Sequence, residues 1–323
     1  MKYLITGGAG FIGGHLTEAL LADGHEVTVI DDLSTGCLAN LKRASTNPGC
    51  RFVRGNVENA PELPALTEWA DSVFHLAAAV GVDLVVRDPV RTIETNVHGT
   101  ESVFACAGRF GRRVVLASTS EVYGRAAREV FRETDDLLIG APTHYRWSYA
   151  ASKALDEFLA FAYYKERRLD PVIVRLFNTV GPRQTGRYGM VLPRFVTSAL
   201  RGEPLRVFGD GRQTRCFCHV ADTVRALIAL EREPRASGNI FNIGTADSIS
   251  IDELAATVIA VTGSRSSILH VPYEEAYEPG FEDMQRRVPD TSKVRELTGW
   301  TPRRQLREII EEVRDYLIHE PEA

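Results

Sequence analysis

Tyr149 and Lys153 stand four residues apart in the pentapeptide Tyr149-Ala-Ala-Ser-Lys153, and on a helix that spacing puts a phenol and an ammonium group on one face. A cation held there favours the phenolate, so Tyr149 is a candidate general base working well below the ~10 of a free tyrosine. Such a base removes the proton of a hydroxyl group. Exposed amphipathic helices show the same spacing, so the pair carries chemistry only in the company of other motifs. Ser118-Thr119-Ser120 ends a β-type run upstream, and Ser118 or Thr119 could hydrogen-bond the reacting oxygen.

A scaffold must bring these groups together. Residues 2–6 form a short β-type run, followed by Gly7-Gly8-Ala9-Gly10-Phe11-Ile12-Gly13 and then by Leu16, Ala19 and Leu20 at helical spacing. This reads as strand, glycine turn and helix. Gly7, Gly10 and Gly13 let the backbone approach a pyrophosphate, whose charge the helix amino terminus holds. Residues 26–30 form a second strand ending in Asp31-Asp32, where an acid takes the ribose hydroxyl pair. Two carboxylates repel a 2′-phosphate, which favours NAD over NADP.

β-rich runs at 51–54, 72–79 and 113–118 alternate with helical patterns such as 96–106. That alternation marks an α/β fold with a parallel, doubly wound sheet. Asn56, Ala77-Ala78 and Ser118-Thr119-Ser120 follow strands, at the ends where such sheets bind ligands. His75 lies within an apolar run and reads as a satisfied core or rim histidine.

At 323 residues the chain fits two lobes. Its net charge of -5 gives no footprint for nucleic acid, and no apolar run is long enough for a membrane span. Met1-Lys2-Tyr3-Leu4-Ile5-Thr6 leads straight into the glycine loop without a signal peptide, which argues for the cytoplasm. The five cysteines are odd in number and scattered, as reduced thiols are. Cys216-Phe217-Cys218 puts both sulfurs on one face if it is a strand, and His219 alone is too little for a metal site. Glu231-Arg232-Glu233-Pro234-Arg235 reads as an exposed charged loop, and 304–318 as an amphipathic helix.

Thr6-Gly7-Gly8-Ala9-Gly10-Phe11-Ile12-Gly13, Asp31-Asp32-Leu33-Ser34-Thr35-Gly36, His75-Leu76-Ala77-Ala78, Ser118-Thr119-Ser120-Glu121-Val122-Tyr123-Gly124 and Tyr149-Ala-Ala-Ser-Lys153 occur in that order. Together they resemble the extended short-chain dehydrogenase/reductase family. Residues 175–183 and 209–215 resemble its nucleotide-sugar epimerases and decarboxylases. The resemblance implies a Rossmann-type NAD-binding domain over 1–177, with a returning segment near 216–245, and a smaller α/β nucleotide-sugar-binding lobe over 178–323. It implies NAD contacts at Gly7, Gly10, Phe11, Ile12 and Gly13, at Asp31, Asp32, Ser34, Thr35 and Gly36, and at Asn56, Val57, Leu76, Ala77, Ala78 and Asn96, besides Tyr149 and Lys153. It also implies that Asn178, Arg215 and Arg287 approach a diphosphate, that Leu192, Val207 and Phe208 lie near the base, that Glu121 and Gln213 also contact the substrate, and that the protein is a homodimer.

The chemistry this implies starts with Tyr149 taking the proton from a UDP-sugar O4 while NAD oxidises C4. Lys153 keeps the phenol low in pKa and binds the nicotinamide ribose. The 4-keto sugar then has several fates. Loss of water is disfavoured, because relatives doing it carry an Asp-Glu pair where this chain has Ser120-Glu121. Ser120-Glu121 and Arg175 to Thr179 look like UDP-glucuronate decarboxylases, whereas the Gly181-Pro182-Arg183-Gln184 turn and the 186–190 stretch look like 4-epimerases. Thr119, Ser120 and Thr179, with Arg183 or Arg187, could pin a sugar carboxylate. On that basis the expectation is a UDP-glucuronate 4-epimerase, with decarboxylase and UDP-glucose 4-epimerase as alternatives and a non-catalytic NAD sensor as the remaining class.

Overall fold

The computed structural model describes residues 1–81, 85, 87–126, 128–186, 190–276 and 284–320. The chain begins β1 (Lys2–Thr6), α1 (Phe11–Ala22), β2 (Glu26–Asp31), β3 (Cys50–Arg54), α2 (Leu63–Trp69), β4 (Ser72–His75), α3 (Pro89–Phe110), β5 (Arg113–Thr119), α4 (Trp147–Arg167) and β6 (Asp170–Leu176). It continues through β7 (Thr179–Val180), α5 (Val191–Arg201), β8 (Leu205–Phe208), β9 (Thr214–Cys216), β10 (Cys218–His219), α6 (Val220–Arg232) and β11 (Asn239–Ile243). β12 (Ser248–Ser250), α7 (Ile251–Thr262), β13 (Ile268–Val271), α8 (Tyr273–Ala276), α9 (Ser292–Thr298) and α10 (Leu306–His319) complete it.

β11-β6-β5-β4-β1-β2-β3 form a seven-stranded sheet, and every pairing in it is parallel. Helices cover both faces, which is why its strands read as nearly continuous apolar runs. One face packs Leu16 and Leu20 of α1 with Val224 and Leu227 of α6. The other packs Val103 and Phe104 of α3 with Ala160 of α4. A separate core joins Phe195 of α5, Leu254 and Val258 of α7, and Ile309 of α10. Fully burying side chains of this size contributes about 1.5–3 kcal/mol each.

Three local readings change. β4 ends at His75 rather than running to 79, because the next amides turn to side chains: Ala77 N donates to Thr6 Oγ1 (3.3 Å) and Ala79 N to Asn96 Oδ1 (2.8 Å). Glu231 is no loop residue; it ends α6, is buried, and accepts a hydrogen bond from the Tyr3 hydroxyl (3.1 Å). Cys216 and Cys218 fall on two strands with different partners. Burial pushes their thiols up, to about 11 and about 12.

Candidate active site

The strand order reverses between β1 and β4, the place where doubly wound sheets bind nucleotides. Thr6 and His75 end those strands in register, so the loops that follow meet. Gly7 has φ +70°, and a Cβ on it would lie 2.6 Å from Ala77 N. Only glycine satisfies both the backbone and the space. A side chain at Gly13 would strike the Gly7 carbonyl. α1 starts after Gly10 with no side chain capping its first amides, and Gly10, Phe11, Ile12 and Gly13 line a cavity of about 670 Å³. An uncapped helix amino terminus beside a glycine cradle fits a dinucleotide pyrophosphate.

Asp31, Asp32, Ser34, Thr35 and Gly36 line the same cavity, as do Asn56, Val57, Leu76, Ala77 and Ala78. Asp31 also shapes the loop, accepting from Ala9 N (2.9 Å) and Leu33 N (2.8 Å). Burial raises its pKa. Asn96 does not line the cavity: it is buried, and its amide nitrogen donates to Ser152 Oγ (3.0 Å) while its oxygen holds Ala79.

β5 and α4 bring Thr119 and Tyr149 together. Thr119 and Tyr149 both line the cavity, and the Thr119 hydroxyl hydrogen-bonds the Tyr149 phenol. Ser118 turns away, donating to Glu157 Oε1 (2.5 Å), which also receives Arg175. Of the two hydroxyls considered, Thr119 is therefore the one at the phenol. Tyr149 keeps partial exposure through the cavity while its oxygen is enclosed by protein. Burial, then the charge of Glu121, raises its pKa above that of free tyrosine. This reverses the expected lowering. Lys153 explains why: it is buried away from the cavity lining, with Nζ 2.7 Å from Asp156 Oδ2.

Beside Tyr149, Glu121 receives Arg146 Nη1 on Oε2 (3.0 Å) and Arg287 Nη1 on Oε1 (3.2 Å). Arg287 also donates to Asn178 Oδ1 (3.3 Å) and Ser120 Oγ (3.5 Å), which draws it toward the end of the cavity that holds Tyr149. Thr179 Oγ1 meets Thr223 Oγ1 (3.1 Å). Arg183 lines the cavity and is bound to Glu18 (2.8 Å), His15 (2.8 Å) and Asn40 O (3.0 Å), so Glu18 already offsets its charge. Arg187 lies outside the described residues. At the far end Leu192, Phe208, Gln213 and Arg215 line the cavity, whereas Val207 is buried in the second core.

Sequence reasoning missed Arg146 and Arg194. Arg146 lies three residues before Tyr149, one helical turn away, and that spacing was its signal. The Arg194 guanidinium stacks over Phe208 at 4.6 Å, which makes a flat wall suited to a planar base. Among the described residues no cluster of His, Cys, Asp and Glu could hold a metal ion, and no helix is long and apolar enough to cross a membrane.

The sequence profile of the NAD dependent epimerase/dehydratase family matches residues 3–244. The UDP-N-acetyl-alpha-D-glucosaminuronate decarboxylase of Bacillus cytotoxicus is 42% identical over 302 residues, 93% of this chain and 92% of its own. UDP-glucuronic acid decarboxylase 1 of Danio rerio is 35% identical over 322 residues, 99% of this chain and 73% of that one. Among solved structures, the UDP-glucuronic acid 4-epimerase of Bacillus cereus, in complex with UDP-glucuronic acid and NAD, superposes with a TM-score of 0.89 at 28% identity and covers 99% of both chains.

Proposed function

The chain belongs to the NAD dependent epimerase/dehydratase family, and from that premise we propose that it is a UDP-hexuronate decarboxylase working through a 4-keto sugar. The observation that carries this reading is Glu121 held between Arg146 and Arg287 beside Thr119 and Tyr149. Two guanidinium groups against the single carboxylate of Glu121 leave one positive charge in excess, which suits an acidic sugar ring. Of the groups expected to pin a sugar carboxylate for 4-epimerisation, Arg183 pairs with Glu18, while Thr119, Ser120 and Thr179 line the cavity. Decarboxylases at 42% and 35% identity support the decarboxylase reading.

The glycine turn, the α1 amino terminus and Asp31 would hold NAD. When bound, NAD supplies the oxidation of the sugar C4 and its later reversal. Tyr149 takes the O4 proton, and Thr119 hydrogen-bonds that oxygen. With C4 a ketone, the C5–C6 bond breaks, carbon dioxide leaves, and the electron pair moves into an enolate whose O4 faces Thr119 and the Tyr149 hydroxyl. C5 takes a proton from water, and Tyr149 returns its proton to O4. Arg215 and the Arg194–Phe208 wall would receive the diphosphate and the base.

A second copy of the chain would cover an apolar stripe on α4. Leu155 (49%), Phe158 (68%), Phe161 (37%) and Tyr164 (47%) are exposed there, with Val90 and Ile93 exposed on the adjoining α3. Such a patch suits a two-fold contact.

The test is proton NMR of product mixtures from UDP-glucuronate and from its 2-acetamido counterpart. The expected outcome is carbon dioxide with the corresponding pentose nucleotide. UDP-galacturonate as the main product would replace this reading with the 4-epimerase, which the 0.89 TM-score to such an enzyme keeps as the second reading.

A further inference from the structure

Lys153 and Asp156 form an ion pair at the heart of the fold. The two residues are 1% and 0% exposed, and Nζ lies 2.7 Å from Oδ2. The Thr100 hydroxyl also hydrogen-bonds the Asp156 carboxylate, and Lys153 is the cation that faces it. His75 of β4 is the other titratable group facing this lysine. It is buried and bonded on both ring nitrogens, to Thr6 Oγ1 (2.7 Å) and Thr100 Oγ1 (3.1 Å). Glu157, the next residue, is occupied by Ser118 and by Arg175 in a bidentate pair. Asp156 is thus the partner that decides what Lys153 offers its neighbours.

We propose that Asp156 is a positioning residue for the base: it fixes the Lys153 ammonium and offsets the positive charge that reaches the Tyr149 oxygen. This rests on the reading of Tyr149 as the base. A lone ammonium one turn from a phenol favours the phenolate, whereas a close ammonium–carboxylate pair presents little net charge. The groups facing Tyr149 agree with this balance. Burial, Glu121 and Asp156 favour its neutral form, and Thr119 and Arg287 oppose them. The base therefore gains strength when Lys153 turns from Asp156 toward a ligand that takes its hydrogen bonds.

The test uses Asp156→Asn, Asp156→Glu and Tyr149→Phe in the NAD-loaded enzyme. Tyr149 ionisation is read as the ultraviolet phenolate absorbance lost in Tyr149→Phe, alongside the pH profile of kcat/KM. Asp156→Asn is expected to move the titration midpoint and the acid limb down together by about one unit or more, the scale of a single neighbouring charge. Asp156→Glu, which restores the charge, should bring both back toward the parent. If Asp156→Asn does not fold, Asp156→Ser gives the same reading. An unshifted midpoint with a uniformly lower rate would make the pair merely structural and overturn the proposal. Full activity in Tyr149→Phe would instead remove the base itself, whatever the absorbance does.

Discussion

Arg287 places Nη1 3.2 Å from Glu121 Oε1, joining residues 166 positions apart in the chain. Arg146 takes the other oxygen of the same carboxylate. The first guanidinium precedes α9 and the other stands just before α4, so Glu121 ties together segments far apart in the chain. Replacing Arg287 with Met strips one oxygen of its partner and removes a cation from the cavity beside Tyr149. Truncating one member of a buried charge pair costs about 2–5 kcal/mol. The kcat/KM for UDP-glucuronate should fall at least about thirtyfold, measured by carbon dioxide release; a loss below threefold would remove Arg287 from the acidic-sugar site.

Tyr149→Phe keeps the ring and its packing but deletes the proton acceptor. Turnover should drop by ~10²–10⁴, the usual worth of a general base, while NAD remains bound. Retention of more than about a tenth of the activity would assign the proton to another residue.

Gly7→Ala meets two obstacles, a left-handed backbone at φ +70° and Ala77 N at 2.6 Å. The two loops must part, and the cradle opens with them. Heat-released NAD from the purified variant should fall to a small fraction of that from the parent. Parental NAD content would mean that the approach of Gly7 to Ala77 does not shape the cofactor site.

Arg183→Gln distinguishes a tether from a substrate contact. Arg183 is held at φ +70° by Glu18, His15 and Asn40, so its loss should lower thermal stability by about 1–3 kcal/mol. The ratio of decarboxylated to epimerised product should not move. A changed ratio by NMR would return Arg183 to the sugar carboxylate.

His75 links stability to pH. Burial lowers its pKa from the ordinary 6.5 to about 3, so the folded chain keeps it neutral while the unfolded chain binds a proton below 6.5. Its contribution is complete above that value and is lost as the pH falls toward 3. At pH 5 the loss is about 2 kcal/mol. Urea unfolding of His75→Gln at pH 7.5 and 5.0 should show a drop smaller than the parent's by about that amount, and an equal drop would assign the acid sensitivity elsewhere.

The sequence by itself determined the α/β architecture and the glycine turn. These rest on local periodicity and on backbone freedom at single residues, which residue order specifies directly. The same local logic placed Tyr149 and Lys153 one turn apart on α4. It could not say where the lysine points, because Asp156 competes for the ammonium and the depth of α4 between α3 and the sheet decides that competition. Arg183 shows the same division. Its turn was legible, but Glu18 and His15 lie 165 and 168 positions away, and only the closing of the linker onto α1 brings them to it. Which carboxylate Arg183 serves therefore rested with tertiary packing: a guanidinium serves whichever carboxylate the fold brings nearest, and spacing along the chain does not record that distance.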